Sequence, residues 1–351
     1  MCNGIVPPYL LRHLSELDRD DLREATEAAR RALVAPFPPR PPRPTALPTS
    51  PPAAVEPTGP DRTIGDARGT ETLPGVVVRR EGDDASGDLA ADEAYDGLGA
   101  TYDLFAQVFD RASIDGAGLP LLATVHYGER YDNAFWDGDQ MVFGDGDGQV
   151  FGRFTASLSV IGHELAHGVT QYTADLVYEG QSGALNESLS DVFGSLVEQH
   201  SRGQGVDEAS WLIGEGLFTD QVEGNALRSM RAPGTAYDDD VLGKDPQPAH
   251  MDDFIETTDD NGGVHLNSGI PNHAFYLAAT ALGGNAWDHA GLIWYDTVTG
   301  GLPATATFAD FAAATTAAAA ERFGDGSGEQ AAVSEAWSTV GLPIGETGST
   351  R

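Results

Sequence analysis

The chain has a single cysteine, Cys2, among its 351 residues, so no disulfide can form within it and cysteine usage leaves the redox compartment open. No run approaches the roughly 18 consecutive apolar residues of a membrane-crossing helix. The opening MCNGIVPPYLL lacks both a basic n-region and a long apolar h-region, so export through an ordinary signal peptide is not expected. Basic residues are scarce as well: 20 against 54 acidic ones, a formal net charge of -34. Only nine of the basic residues lie beyond Arg80, together with 44 of the acidic ones. Such a body repels nucleic acid and anionic membranes, and neither is expected as a partner. The acidity reads either as an adaptation to solubility or salt, or as carboxylates that attract hard cations. With 40% apolar and 21% charged residues, the composition is that of a soluble globular protein with room for two cores.

Proline is concentrated rather than absent. Eleven of the 21 prolines fall between Pro36 and Pro60, a polyproline-like, cleavable linker. It separates a small N-terminal module from a body that starts near Asp61. Within the module, Leu14, Leu17, Leu22, Ala25 and Ala29 are spaced for one amphipathic helix over Ser15–Leu33, with acids early and arginines late to suit its dipole. In the body, Leu73–Arg79, Pro120–Tyr127 and Met141–Phe151 are β-like, and Gly144–Gly148 reads as a hairpin turn, since it lacks the further acids of an EF-hand. Beyond Phe151 the periodicity turns helical. The expected fold is α+β: residues 1–50 with a linker to about 60, a β-rich lobe over 61–155 and a helical lobe over 156–351.

Inside one apolar helix lies His163-Glu164-Leu165-Ala166-His167. A four-residue step returns to the same helix face, so both imidazoles can reach one ion, and zinc suits imidazole nitrogen. Five residues alone discriminate little. A catalytic zinc needs a third protein ligand and an open position. Twenty residues on, Glu187 sits on the next expected helix, and Asp191 follows four residues later, placed to hold the second ring nitrogen of His163. A solvated helix face is the alternative for both acids.

The stretch HELAHGVTQYTADLVYEGQSGALNESLSD closely resembles the zinc-ligand region of thermolysin-like peptidases. DNAFWDGDQMVFGDGDG, LRSM and DNGGVHLNSGI match the same family in order, so the likeness runs from about Leu73 to the C-terminus. The resemblance implies that His163, His167 and Glu187 bind one zinc and that Glu164 is the base acting on water. It implies that His265, oriented by Asp260, and Tyr178 stabilise the oxyanion. It further implies that Asn133, Ala134 and Arg228 hold an extended substrate, and that Phe151, Phe154, Val160 and Leu227 line a pocket for a bulky apolar residue just after the cut. Ordinary core packing is the alternative for those last four.

The family's double calcium site is only partly matched. Glu198 and Glu215 are the candidate calcium ligands, while Ser159, Leu212 and Gly216 stand where acids are expected and Asp207, Glu208 and Asp220 lie nearby in sequence. The segment Ile5–Leu11 resembles the short propeptide of protealysin-like precursors, a branch of that family. The expectation is therefore a zymogen whose propeptide is its own partner in cis, with Cys2 as a candidate inhibitory thiol toward zinc; a thiol with no part in latency is the alternative. A monomeric zinc endopeptidase, secreted without an ordinary signal peptide or held as a cytoplasmic precursor, is the reading carried forward. Its rivals are a binding protein that has lost turnover, argued against by intact Glu164 and His265, and an adhesin with a structural zinc. That site would need a fourth Cys or His, which the body does not offer.

Overall fold

The computed structural model describes residues 4–34 and 58–343; Cys2 and most of the proline-rich stretch fall outside them. The N-terminal module is a helical hairpin, not the single helix that its leucine spacing suggests. Helix α1 (Pro8–Ser15) starts on a proline, ends at Ser15, and is followed by a 3-10 turn at Asp20–Leu22 and by α2 (Arg23–Val34). Arg19 is extended, which breaks the helical path just before the Asp20-Asp21 pair. Leu14 and Leu22 are both buried, facing one core from two helices.

The sheet comprises β1 (Arg62–Asp66), β2 (Val76–Arg80), β3 (Leu121–Val125), β4 (Ala134–Trp136) and β5 (Met141–Phe143), in the order β2-β1-β3-β5-β4. The inner pairs β1–β3 and β3–β5 are parallel, and the outer pairs β1–β2 and β4–β5 are antiparallel. β4 is thus an edge, with Ala134 opposite Phe143. The hairpin is β4–β5, so the expected turn at Gly144–Gly148 does not join two paired strands. That segment instead folds back on itself: Asp147 accepts from the backbone of Gln149, Val150 and Phe151, while Phe151 bridges to Phe218.

Helix α3 (Leu89–Phe109) packs on the sheet within the lobe that reads as β-rich. Its two internal glycines hide it from a propensity reading. Gly97 is there for closeness, since a Cβ would lie 2.4 Å from Ile161. The helical lobe contains α4 (Leu158–Gln171), α5 (Gly180–Arg202), α6 (Asp260–Asn267), α7 (Gly269–Leu282), α8 (Ala290–Thr299), α9 (Phe308–Phe323) and α10 (Gly328–Thr339). Helices α4 and α5 meet at Gly162 and Gly194. A Cβ on Gly194 would fall 2.4 Å from the Ser159 carbonyl and 2.9 Å from the His163 nitrogen. This near-backbone approach lets side chains one turn further on converge from two helices. Trp294 and Trp337, stacked at 6.2 Å, close the core at the far end.

Candidate active site

His163, Glu164 and His167 project from α4, and Glu187 from α5; all four are essentially buried. Each histidine uses its Nδ1 elsewhere. His163 Nδ1 lies 2.7 Å from Asp191 Oδ1, and His167 Nδ1 lies 2.8 Å from Asn186 Oδ1 and 3.0 Å from Ser190 Oγ. Because a carboxylate and an amide oxygen only accept, both Nδ1 atoms carry the ring proton. The two Nε2 atoms are then bare lone pairs, yet they face each other at 3.1 Å. Glu187 adds carboxylate oxygens 3.5 Å from one and 3.4 Å from the other, and its Oε2 has no hydrogen-bond partner among the described residues.

Three lone-pair donors turned inward on one point, with no proton between the two ring nitrogens, fit a cation. Two imidazoles and a carboxylate match zinc. Burial outweighs the pull of Asp191 and pushes His163 down to about 4, and burial does the same to His167. The neutral imidazoles that a metal requires are therefore present at neutral pH.

Around this centre the remaining expected residues converge. Glu164 Oε2 accepts from the Trp136 backbone at 2.9 Å, while its Oε1 has no hydrogen bond among the described residues. Burial, with Glu187 adding to it, raises the Glu164 pKa well above the ordinary carboxylate range. Asp191 is held at both oxygens, by Arg228 at 2.9 and 2.8 Å and by Asn272 at 2.8 Å. Burial alone would raise its pKa, but Arg228 and His163 hold it well below the usual value.

The His265 ring sits on a local device. Asp260, Asn261, Gly262 and Gly263 all take left-handed φ, folding the chain so that Asp260 accepts from both the backbone and the Nδ1 of His265, at 2.9 and 2.7 Å. Burial would lower His265, but Glu187 and Asp260 outweigh it and lift the pKa to about 9. Its Nε2 lies 3.4 Å from both Glu187 Oε2 and the Tyr178 hydroxyl, which itself donates to Glu187.

The N-terminal segment crosses this site. Ile5 donates to the Ala134 carbonyl at 3.0 Å, Val6 donates to Asn133 Oδ1 at 3.0 Å, and Arg228 Nη1 donates to the Ile5 carbonyl at 3.1 Å. Phe151, Phe154, Val160 and Leu227 are fully buried in the same apolar cluster as Ile5 and Val6. Sequence reading missed Asn186, Ser190 and Asn272. Their spacing from Glu187 and His265 was available, but nothing in a polar residue on a helix announces which histidine or aspartate it will meet.

One expected feature lies apart from this centre. Glu198 is buried and paired with Arg202 at 2.7 Å, with Ser159 and Glu215 beside it. Among the described residues no third acid joins Glu198 and Glu215 at metal-binding distances, and Asp207, Glu208 and Asp220 supply none. Cys2 lies outside the described residues.

Profiles described as "Thermolysin metallopeptidase, catalytic domain" and "Thermolysin metallopeptidase, alpha-helical domain" match residues 62–171 and 174–342. The chain belongs to the thermolysin family of metallopeptidases. An "Extracellular metalloprotease" of Pectobacterium carotovorum subsp. carotovorum is 50% identical over 97% of this chain and 96% of its own length. "Protease PrtS" of Photorhabdus is 47% identical over 98% and 93%. The solved precursor of protealysin, a metalloproteinase from Serratia proteamaculans, superposes with a TM-score of 0.87 at 53% identity, covering 97% of this chain and 99% of that one. The chain is thus a protealysin-type, thermolysin-like metalloendopeptidase.

Proposed function

We propose that the protein is a zinc-dependent neutral endopeptidase made as a latent zymogen, cutting on the N-terminal side of bulky apolar residues. The observation that carries the catalytic half is the inward meeting of the His163 and His167 lone pairs with Glu187 beside the free Glu164 Oε1. A zinc held by these three side chains supplies Lewis acidity toward water and the peptide carbonyl. Glu164 takes a proton from the attacking water and delivers it to the departing amine. His265, protonated through its neighbours, and Tyr178 donate to the developing oxyanion. Asp191 keeps His163 in the required tautomer, and Asp260 does so for His265.

Substrate is held as an added strand on the β4 edge by Asn133 and Ala134, with Arg228 on the first carbonyl past the cut. Phe151, Phe154, Val160 and Leu227 form the pocket that prefers a bulky apolar side chain there. The support for latency is that Ile5 already makes this backbone pattern, so the segment competes with substrate for the same donors. On this reading residues 1 to about 50 are the propeptide, the linker runs to about 60, and 61–155 and 156–351 are the catalytic lobes. Fully buried Ile5 and Val6 suffice as a steric plug, and Cys2 is not required for it. Any calcium bound in this lobe would be held by Glu198 and Glu215, beside the Arg202 that pairs with Glu198.

The chain acts as a monomer. No described helix is long and apolar enough to cross a membrane, and relatives named extracellular support export. Casein digestion by the trimmed protein, compared with Glu164→Ala and with chelated enzyme, tests the activity. Digestion by the parent alone is expected; equal digestion by all three would refute it.

A further inference from the structure

Beyond Val6, α1 turns Tyr9 toward the body. Its hydroxyl is buried and faces that of Tyr237. Its neighbours there are Tyr237, Asp245 and Arg228. Tyr237 is 3% exposed and meets Phe218 edge-on at 6.2 Å; Phe218 lies 5.5 Å from Phe151, and Phe151 lies 5.7 Å from Phe154. An aromatic wall therefore runs unbroken from two residues of the first primed pocket to the place where Tyr9 sits. The far end of this wall is fixed without help from Tyr9. Asp245 accepts from the backbone of Gly234, Ala236 and Gln247, and its own nitrogen donates to the Tyr237 carbonyl at 3.1 Å.

We propose that this is a second primed-side specificity pocket, one that takes an aromatic side chain of the substrate and that Tyr9 fills only while the N-terminal segment is docked. The proposal rests on the peptidase activity argued above. Ile5 makes the backbone pattern of the first residue after the cut. An extended substrate advances about 3.3 Å per residue where a helix advances about 1.5 Å, so its third or fourth residue past the cut comes level with Tyr9. Tyr9 sits there as a ring tied to a helix, with its hydroxyl against that of Tyr237. A substrate ring that is free to shift can seat better than one tied to a helix.

The test uses the zinc-loaded full chain, nicked between residues 35 and 57, and quenched fluorescent peptides with leucine just after the cut. A single phenylalanine or tyrosine is moved from the second to the fifth position past the bond, with alanine elsewhere. One position beyond the second is expected to raise kcat/KM by about tenfold over the alanine peptide. That ratio should fall toward one in Tyr237→Ala and persist in Tyr237→Phe. Phe218→Ala, which opens the same wall from its other side, serves if Tyr237→Ala does not fold. A ratio near one at every position, or a gain untouched by opening the wall, overturns the pocket while leaving the peptidase standing. No cleavage of any peptide overturns both.

Discussion

Arg228 donates to the Ile5 carbonyl at 3.1 Å from the same guanidinium that grips Asp191 at 2.9 and 2.8 Å. Asp191 in turn lies 2.7 Å from His163. One side chain therefore reaches the N-terminal segment on one side and the metal-ligand support on the other. Occupation of the cleft by the segment and an intact His163 support coexist, as the proposed latent form requires.

Ile5→Asp should undo that block. Ile5 is fully buried, and a carboxylate there costs at least about 3 kcal/mol, on the order of a hundredfold in segment affinity. The uncut full chain is then expected to cleave a fluorogenic peptide, where the parent precursor does so only after its linker is cut. Equal latency in the two chains would show that the clamp on Ile5 does not hold the segment.

Asn186→Ala should weaken the metal and spare the fold. Removing the acceptor from His167 Nδ1 leaves Ser190 at 3.0 Å as its only support among the described residues. Loss of such a partner lowers zinc affinity by about 10–100-fold. Competition against a chromophoric chelator measures it, and an unchanged affinity would place the tautomer control elsewhere.

His126 makes stability depend on pH away from the active site. Its ring bridges Asp88 at 3.0 Å and Asp145 at 2.9 Å, tying the start of α3 to the loop after β5. Burial would lower its pKa, but Asp145 and then Asp88 outweigh it and raise the value. The unfolded chain loses this proton near pH 6.5 and the folded chain only at higher pH, so the stabilisation is full below about 6.5 and fades as pH rises through the folded value. Denaturation midpoints of the parent and His126→Asn should diverge at about pH 5.5 and converge at about pH 9. A constant difference would leave the clasp uncharged.

Asp132→Asn should stabilise. Asp132 is 0% exposed, and its carboxyl faces that of Asp147. Burial, with Asp147 adding to it, lifts its pKa well above the ordinary range. Above about pH 4 the unfolded chain ionises while the folded chain resists, so the aspartate costs more as pH rises. Asparagine removes that dependence. A gain of about 1–3 kcal/mol at neutral pH, vanishing near pH 3, is expected from urea unfolding.

The proposed zinc ligands were legible because HExxH fixes the spacing of two on one helix and the NESLSD match points to Glu187. Helical lobe and sheet lobe were equally plain from periodicity. Helix α3 was not, since Gly97 and Gly99 weaken its pattern for reasons that lie in Ile161 and Arg62. Nor was the α1–α2 hairpin, because leucines at helical spacing look the same whether one helix or two bury them. The hairpin placed at Gly144–Gly148 failed for a related reason: its turn residues serve an Asp147-capped loop, and strand pairing went to β4 instead.

The most direct test of the whole account is the zinc content of the purified chain. Dialysed against buffered zinc, the parent is predicted to hold one ion per chain and His167→Ala markedly less, with Glu164→Ala retaining the full ion while losing peptide cleavage. A parent chain that returns from dialysis without zinc would contradict it.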